Sequence, residues 1–297
     1  MRLAIASGKG GTGKTTVAAN LAVYLSSLDK RVSFVDCDVE EPNAHFFLQP
    51  RWSREETQTV PVPSIDEEAC LGESCRKCIA ECRFNALIWM VRSVLVFPEL
   101  CHSCGLCEYI CPANAVSFTT RDIGTLRLGQ GKGAHLSGGL LRIGEAMAPP
   151  LIRKVKAAAP AGDVQIVDAP PGSSCPVIES LEGADYVILV AEPTPFGLFD
   201  LRIAAELMRK SKHPFGVVIN REGMGDEQTE RFLEAESIPV LARFPYSPEA
   251  ATSYSRGELL IETQPGFREL YDQLWSALQA RVEEARGADS TTSAQDD

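Results

Sequence analysis

The chain has 297 residues, with 29 lysines and arginines against 40 aspartates and glutamates, which gives a formal net charge of −11. This length allows about two domains, and an apolar fraction of 44% is sufficient for a buried core. The acidic balance argues against nonspecific nucleic-acid binding, which depends on neutralising phosphates with lysine and arginine. There is no apolar run near the ~18 residues of a spanning helix and no signal-peptide pattern. We therefore expect a cytoplasmic protein without a stable membrane anchor, whose ten cysteines bind metal and do not form disulfides.

A glycine-rich stretch follows the first predicted strand. Residues 3–6 predict a buried strand, residues 8–16 have the sequence GKGGTGKTT, and residues 15–28 predict a helix. This arrangement matches the motif G-x-x-x-x-G-K-[ST], in which backbone N–H groups and the positive end of the helix hold phosphate. Lys14 is expected to reach the outer phosphates, and the Thr15 hydroxyl is expected to reach magnesium. A glycine loop without a ligand is the alternative. The predicted nucleotide-binding residues here are Gly8, Lys9, Gly10, Gly11, Thr12, Gly13, Lys14, Thr15 and Thr16.

Two further predicted strands end in aspartate. The strand at 31–35 leads into Asp36-Cys37-Asp38, and the strand at 164–167 leads into Asp168 and a Pro-Pro-Gly turn. Carboxylates at the carboxyl ends of strands beside a phosphate loop are placed for magnesium and water. The sequence therefore predicts that Asp168 holds magnesium together with Thr15.

The rest of the chain alternates apolar strands with helices. Strands are predicted at 186–190, 217–219 and 240–241, and helices at 149–159 and 198–210. This alternation predicts an α/β fold with a mostly parallel sheet and helices on both faces. Residues 51–63 are predicted to be a polar linker, and residues 124–139 are predicted to be short strands around a loop.

The C-terminal region predicts one long helix and a tail. Residues 265–285 place large apolar side chains on one face, which favours core packing, with membrane binding as the alternative. Residues 288–297 are small, polar and acidic, and predict a disordered tail.

Eight of the ten cysteines form two runs between residues 70 and 111. The second run, Cys101-x2-Cys104-x2-Cys107-x3-Cys111-Pro112, has the spacing of bacterial ferredoxins. The first run, Cys70-x4-Cys75-x2-Cys78-x3-Cys82, repeats that spacing 29 residues earlier from its second cysteine onward. Two iron–sulfur clusters are predicted, with structural zinc as the alternative because four thiolates also suit zinc. A segment this small has too little apolar core to fold alone, so its folding is expected to depend on the clusters.

Together these motifs resemble the MinD/ParA/Mrp superfamily of P-loop ATPases with a deviant phosphate loop, and within it the members that carry an inserted ferredoxin domain. The matching stretches are the phosphate loop with its early Lys9, DCDVEEPNA at 36–44, both cysteine runs, IGE at 143–145, DAPPG at 168–172 and Asn220-Arg221. The resemblance implies an ATPase domain at 1–60 and 121–287. It also implies a small α+β ferredoxin-like insert with two 4Fe-4S clusters at 61–120.

The resemblance also implies roles for individual residues. Lys9 would reach across a dimer to the partner's nucleotide, Asp38 would position the attacking water, and Asn220, followed by Arg221, would contact the adenine. The alternatives are a solvated loop lysine for Lys9 and a turn residue for Asn220. Cluster one would be held by Cys70, Cys75, Cys78 and Cys111, and cluster two by Cys82, Cys101, Cys104 and Cys107.

Two cysteines lie outside the runs. Cys37 is expected to be a small buried residue. Cys175 resembles in position one of the two cluster ligands that the nitrogenase iron protein shares across its dimer, but it is expected to be buried and structural.

The function implied is a MgATP-binding and hydrolysing ATPase, slow without its partner, that dimerises with itself or with a homologous ATPase. It would pass electrons in an ATP-gated manner to an unidentified redox partner protein. The alternative is an ATPase that assembles an iron–sulfur or other metallocofactor, or positions a partner.

Overall fold

The computed structural model describes the backbone of residues 1–292 and the side chains of residues 1–287. The strands are β1 (Arg2–Ala6), β2 (Val32–Asp36), β3 (Arg51–Ile65), β4 (Leu87–Met90), β5 (Ser93–Val96), β6 (Val116–Gly131), β7 (Ala134–Leu141), β8 (Val164–Asp168), β9 (Tyr186–Ala191), β10 (Phe215–Glu222) and β11 (Val240–Pro245). The α-helices are α1 (Lys14–Ser26), α2 (Ala44–Leu48), α3 (Lys77–Ala80), α4 (Leu106–Tyr109), α5 (Pro149–Ala158), α6 (Cys175–Leu181), α7 (Pro195–Lys210), α8 (Gln228–Ala235), α9 (Pro248–Ser255), α10 (Leu260–Thr263) and α11 (Phe267–Thr292).

Within the described residues the main sheet has nine strands, in the order β11-β10-β9-β1-β8-β2-β7-β6-β3. The seven strands from β11 to β7 run parallel, while β6 is antiparallel to β7 and β3 is antiparallel to β6. The predicted mostly parallel sheet is therefore confirmed. Since parallel strands are covered on both faces, they consist of nearly continuous apolar residues, as in the fully buried Leu3-Ala4-Ile5 of β1.

Helices cover both faces of this sheet and form two separate cores. On one face α1, α2 and α9 to α11 bury residues such as Leu21, Leu25 and Tyr271 against the strands. On the other face α5 to α8 bury residues such as Leu151 and Leu201. The result is a three-layer α/β/α arrangement, in which the loops at the carboxyl ends of the parallel strands meet along one edge.

The predicted linker at 51–63 is wrong, because these residues form most of β3. β3 pairs with β6 along its whole length, from Arg51 opposite Gln130 to Ile65 opposite Val116. Pro61 and Pro63 are tolerated because β3 is an edge strand, where a missing N–H need not break a ladder. Buried Val60 and Val62 alternate with these prolines, so the face that packs inward is still apolar.

The prediction of short strands around a loop at 124–139 is also wrong. Residues Val116–Gly131 form the continuous strand β6, and a two-residue turn at Lys132-Gly133 leads directly into β7. Both turn residues have positive φ, 47° and 82°, which is the conformation that suits the right-handed twist of a two-residue hairpin.

β3 and β6 carry residues 66–115 between their ends. This cysteine segment contains 3-10 helices at Gly72–Ser74 and Pro98–Leu100, helices α3 and α4, and a separate hairpin of β4 with β5. The predicted domain limits at 60/61 and 120/121 therefore fall inside β3 and β6.

The sequence repeat is also a structural repeat. An offset of 29 residues maps α3 onto α4, and it maps Asn85 (φ 54°) onto Asn114 (φ 51°). The segment's two strand pairs are joined in matching ways: the Asp66 N–H donates to the Ala115 carbonyl, and the Phe97 N–H donates to the Ala86 carbonyl, each at 2.8 Å.

The last helix, α11, packs its apolar face in the core, with Leu274 and Leu278 fully buried. The described backbone of α11 extends to Thr292, the disordered tail at 288–297 stays a prediction, and residues 293–297 lie outside the described residues. No described helix is both long enough and apolar enough to cross a membrane.

Candidate functional site

The phosphate loop joins β1 to α1 and depends on two glycines. Gly13 precedes the helix with φ 92°, a left-handed conformation that side chains strain, and a Cβ there would lie 2.4 Å from Asn220 Nδ2. A Cβ at Gly8 would lie 2.2 Å from the Asp200 carbonyl oxygen of α7. The loop is thus packed directly against neighbouring backbone and side chains at these two positions.

Lys14 is buried at the start of α1, with 7% of its surface exposed. Burial lowers its pKa, and the nearby carboxylates of Asp168 and Asp38 oppose this shift. A buried ammonium is stabilised by nearby anions. Lys14, which lines the cleft, can therefore bind a further anion such as a phosphate.

Thr15 and Asp168 meet as the sequence predicts. The Thr15 hydroxyl donates to Asp168 Oδ2 at 2.6 Å, while Oδ1 of the same carboxylate is buried and has no hydrogen-bond partner among the described residues. Burial raises the pKa of Asp168 to about 7, and the charge of Asp38 adds to the rise. A buried carboxylate with one free oxygen beside a hydroxyl is a donor set that suits a hard divalent cation.

Asp36 and Asp38 have different positions. Asp36 is buried, burial raises the pKa of its carboxyl, and it accepts hydrogen bonds from the Asp38 and Ala44 N–H groups, each at 3.2 Å. The Asp36 carboxylate therefore joins the two ends of the loop at 36–44 through hydrogen bonds. Asp38 is half-buried and lines the same cleft as Lys14 and Thr15, so of these two carboxylates Asp38 is the one that faces the cleft.

The cleft extends from the phosphate loop to the end of β11 and has a volume of about 350 Å³. Asn220 donates from Nδ2 to the Thr12 carbonyl at 2.8 Å, and Arg221 donates to the Gly11 carbonyl at 3.3 Å. Residues after β11 form the far wall, and sequence reasoning missed them: Tyr246, Ser247, Ala250, Ala251 and Tyr254. The rule that ligands bind beyond the carboxyl ends of parallel strands points to this loop.

Lys9 makes an ion pair that the sequence does not reveal. Its Nζ lies 3.4 Å from Glu192 Oε2, and Arg221 donates to the other oxygen of Glu192 at 2.5 Å. Glu192 is 7% exposed and directly follows β9. The sequence does carry one signal for Glu192, because it is an acidic residue at the carboxyl end of an apolar strand. Lys9 is thus held by a residue of its own chain.

The eight cysteines of the two runs line two cavities. One cavity is lined by Cys70, Cys75, Cys78 and Cys111. The other is lined by Cys78, Cys82, Cys101, Cys104 and Cys107. The two sets implied by the resemblance therefore lie around separate cavities, and Cys78 borders both.

The thiols lie near one another within each set. Burial raises the pKa of Cys107 to about 11, with Cys101 and Cys104 contributing, and burial raises the pKa of Cys78, with Cys70 contributing. Such thiols need a cation to become thiolates. Among the residues with described side chains, no group of three or more Cys, His, Asp or Glu has the spacing for one metal ion.

The remaining two cysteines differ from each other. Cys37 is fully buried, as predicted, and burial raises the pKa of its thiol. The prediction that Cys175 is buried is wrong: Cys175 is exposed at the first position of α6, after the Pro-Pro-Gly turn that follows Asp168. The turn carries the chain outward, so the helix starts at the surface.

The chain is similar in sequence and in fold to known nucleotide-binding proteins. The CobQ/CobB/MinD/ParA nucleotide binding domain family matches residues 3–261. An uncharacterised protein of Methanocaldococcus jannaschii is 27% identical over 266 residues, which cover 88% of this chain and 92% of that protein. An iron-sulfur cluster carrier protein of Helicobacter pylori is 23% identical over an alignment of 308 positions, gaps included, which covers 96% of this chain and 69% of the carrier. The septum site-determining protein MinD of Pyrococcus horikoshii, solved with Mg-ADP, has a similar fold, with a TM-score of 0.55 at 19% identity over 92% of this chain and 93% of that chain.

Proposed function

The chain belongs to the CobQ/CobB/MinD/ParA nucleotide-binding family, and on that premise we propose that it hydrolyses MgATP to gate electron transfer from a two-cluster, ferredoxin-like insert to a partner protein. One observation carries the proposal: the nucleotide cleft and the two cysteine-lined cavities are built on one strand system. β3 and β6 frame the cysteine segment, and β6 continues into β7, the neighbour of β2. β2 in turn leads into Asp38 at the nucleotide cleft.

The residues of the cleft have separate roles toward ATP. The N–H groups of residues 8–16 and the N-terminus of α1 bind the phosphates, and Lys14 neutralises their outer charge. Thr15 and Asp168 would hold magnesium, which would neutralise charge on the phosphates. Asp38, which lines the cleft near Lys14, accepts a hydrogen bond from the attacking water. Asn220 contacts the adenine, and the neighbouring Arg221 also contacts the nucleotide; both side chains are held against the phosphate loop by the carbonyls of Thr12 and Gly11.

A second copy of the chain, or a homologous ATPase, supplies Lys9 in this proposal. Lys9 then exchanges its ion pair with Glu192 for a contact with the partner's phosphates, where charge increases in the transition state. Lys9→Ala is expected to abolish hydrolysis and retain nucleotide binding, whereas the exposed surface variant Lys210→Ala is expected to have normal turnover. Unchanged turnover in Lys9→Ala would remove the role of Lys9 across the dimer.

The cysteine cavities suit two 4Fe-4S clusters. Each cavity is lined by at least four cysteines, and four thiolates are what such a cluster requires. When bound, the clusters store and pass single electrons. The protein's own backbone adds donors to the thiolates: the Ser103 N–H donates to Cys101 Sγ at 3.4 Å, and the Ala115 N–H donates to Cys111 Sγ at 3.3 Å. Metal analysis distinguishes zinc from this assignment, which expects about eight iron atoms per chain.

The experiment that tests gating uses reduced, cluster-loaded protein and an oxidised acceptor dye under anaerobic conditions. Dye reduction is followed with MgATP, with MgADP and with a non-hydrolysable ATP analogue. Of the three nucleotides, only MgATP is expected to give rapid dye reduction. The variant Lys14→Ala, which lacks the buried phosphate contact, is expected to lose this rapid reduction. Equal rates with and without MgATP would refute ATP-gated transfer.

A second function, ATP-dependent assembly of iron–sulfur clusters, is favoured by one observation. Cys175 is exposed next to the turn that follows Asp168, where a nucleotide-driven change would move it. The similarity to the Helicobacter pylori carrier supports the same function. Transfer of iron from the loaded protein to an apo-ferredoxin, dependent on MgATP and lost in Cys175→Ser, would favour assembly over electron transfer.

A further inference from the structure

A buried ion pair lies where the cysteine segment joins the nucleotide-binding sheet. Arg121 of β6 donates through both terminal nitrogens to the Glu145 carboxylate, and their side chains are 9% and 1% exposed. Glu145 also accepts from the Met147 N–H at 3.1 Å. A pair buried to this extent is held in one geometry, because either charge alone would be costly to leave in the interior.

On one side this ion pair reaches the cysteine segment. The hydrogen bonds to Glu145 are the main cause of the raised pKa of the Arg121 guanidinium, and the charges of Glu99 and Cys101 add to the rise. Cys101 is a cysteine of the second cavity. Arg121 lies opposite Val60 in the β3–β6 ladder. At the next position of β3, the Pro61 carbonyl accepts from the Ser103 hydroxyl at 2.6 Å. The loop that carries Cys101 and Ser103 is therefore hydrogen-bonded to β3, one residue from the position that pairs with Arg121.

On the other side the ion pair reaches the nucleotide cleft. The Leu141 N–H donates to the carbonyl of Val39 at 2.8 Å, and Val39 directly follows Asp38. Val39 Cγ1 is also so close to Gly139 that a Cβ there would lie 2.9 Å away. From Leu141 the chain turns through Arg142, whose carbonyl accepts from the Glu145 N–H at 2.9 Å. These contacts join the Asp38 loop to the segment that positions Glu145.

We propose that Arg121 and Glu145 couple the nucleotide site to the second cysteine cavity: movement of the Asp38 loop displaces Glu145 from Arg121 and changes the charge that Arg121 presents to Cys101. This inference rests on the proposed function, since it assumes that cluster two occupies that cavity. An uncompensated guanidinium favours the reduced, more negative cluster and raises its reduction potential, whereas a paired Glu145 cancels that field. Arg121 does not touch the cluster or the nucleotide; it affects cluster two through Cys101 and the Asp38 loop through Glu145, so it is a positioning residue.

The coupling must be reciprocal. If nucleotide changes the potential of cluster two, then reduction of cluster two changes the affinity for nucleotide by the same factor. A tenfold ratio of dissociation constants between oxidised and reduced protein corresponds to a shift of about 59 mV for one electron. Nucleotide binding can therefore be measured separately from any electron transfer to a partner.

The test compares wild type with the double variant Arg121→Met/Glu145→Gln, which removes both charges together and leaves neither buried alone. Potentials of both clusters are measured by titration monitored by electron paramagnetic resonance, with MgADP and with a non-hydrolysable MgATP analogue. We expect the potential of cluster two to depend on the nucleotide in wild type and not in the variant. The potential of cluster one is expected to be the same in both proteins.

The matched control is the ion pair of Arg127 with Glu55, which joins β6 to β3 at an exposed position. The variant Arg127→Met/Glu55→Gln is expected to keep the nucleotide dependence of cluster two. A single variant, Arg121→Lys, retains the charge without the two-pronged contact and is expected to weaken the dependence. Iron content and circular dichroism establish that each variant is folded and loaded.

The outcomes separate this inference from the proposed function. If wild type has no nucleotide-dependent potential and equal nucleotide affinity in both redox states, the inference is overturned. It is also overturned if the double variant keeps both effects, although ATP-gated dye reduction then still supports the proposed function. If the coupling is present and is lost in the variant, while dye reduction is independent of MgATP, the inference holds and the proposed function fails.

Discussion

Replacing Asp168 with asparagine is expected to stabilise the nucleotide-free protein at neutral pH, although it removes the proposed ligand for magnesium. Asp168 is buried beside Asp38, and burial raises its pKa from 3.8 to about 7. The unfolded chain therefore ionises Asp168 near pH 4, while the folded chain keeps the proton until near pH 7. In this window the native state binds more protons, so wild-type stability falls as the pH rises.

The magnitude follows from the size of the shift. The difference of roughly three pKa units corresponds to about 4 kcal/mol, since each unit contributes about 1.4 kcal/mol. Asparagine does not ionise, and its oxygen still accepts from Thr15. The stability gain of Asp168→Asn over wild type is therefore expected to be small near pH 4 and to reach about 4 kcal/mol above pH 7. MgADP is expected to stabilise wild type and not the variant at the higher pH.

The assay is urea unfolding across this pH range without nucleotide, followed by tryptophan fluorescence, since Trp275 is buried in the core beside α1. The control is Asp163→Asn. Hydrogen bonds from Arg31 lower the pKa of Asp163 to about 2, so its effect on stability is expected to be constant above about pH 5. A stability difference between Asp168→Asn and wild type that does not change with pH would refute the reasoning.

Three further predictions concern the loop, the ion pair at Glu192 and the cysteine segment. Gly13→Ala is expected to lose nucleotide binding and about 1–3 kcal/mol of stability, because residue 13 has a positive φ and a Cβ there would touch Asn220. In the control Gly10→Ala the added Cβ has no neighbour within 4 Å, so the melting temperature is expected to stay that of wild type. Equal melting temperatures of the two variants would contradict this. Glu192→Gln is expected to increase acylation of Lys9, measured by mass spectrometry, because the ion pair that holds the ammonium is lost; unchanged labelling would argue against that contact. Removal of iron by a chelator is expected to unfold residues 66–115 and leave the main sheet folded, as measured by circular dichroism, and a stripped protein with its full spectrum would show that the segment folds unaided.

Features that depend on short stretches of chain could be predicted from the sequence. The phosphate loop is recognisable because the motif, the strand before it and the helix after it lie within about 25 residues, and each has a local physical cause. The parallel sheet followed from uninterrupted apolar strands that alternate with helices. The two cysteine runs reveal a repeat because they share one spacing from the second cysteine of the first run onward, and the repeat reappears as the matching helices α3 and α4.

Only the tertiary structure decided which distant residues meet. Residues 51–63 lack an apolar run and were predicted to be a linker, yet they form β3 because β6, more than 50 residues later, offers a ladder of hydrogen bonds. Glu192 meets Lys9, and Glu145 meets Arg121, because the strand order brings separate loops together. Burial of Asp168 and exposure of Cys175 also depend on packing across many elements. Composition and spacing determine the chemistry that the chain can carry, whereas the order of strands in the sheet determines which of those groups act on one another.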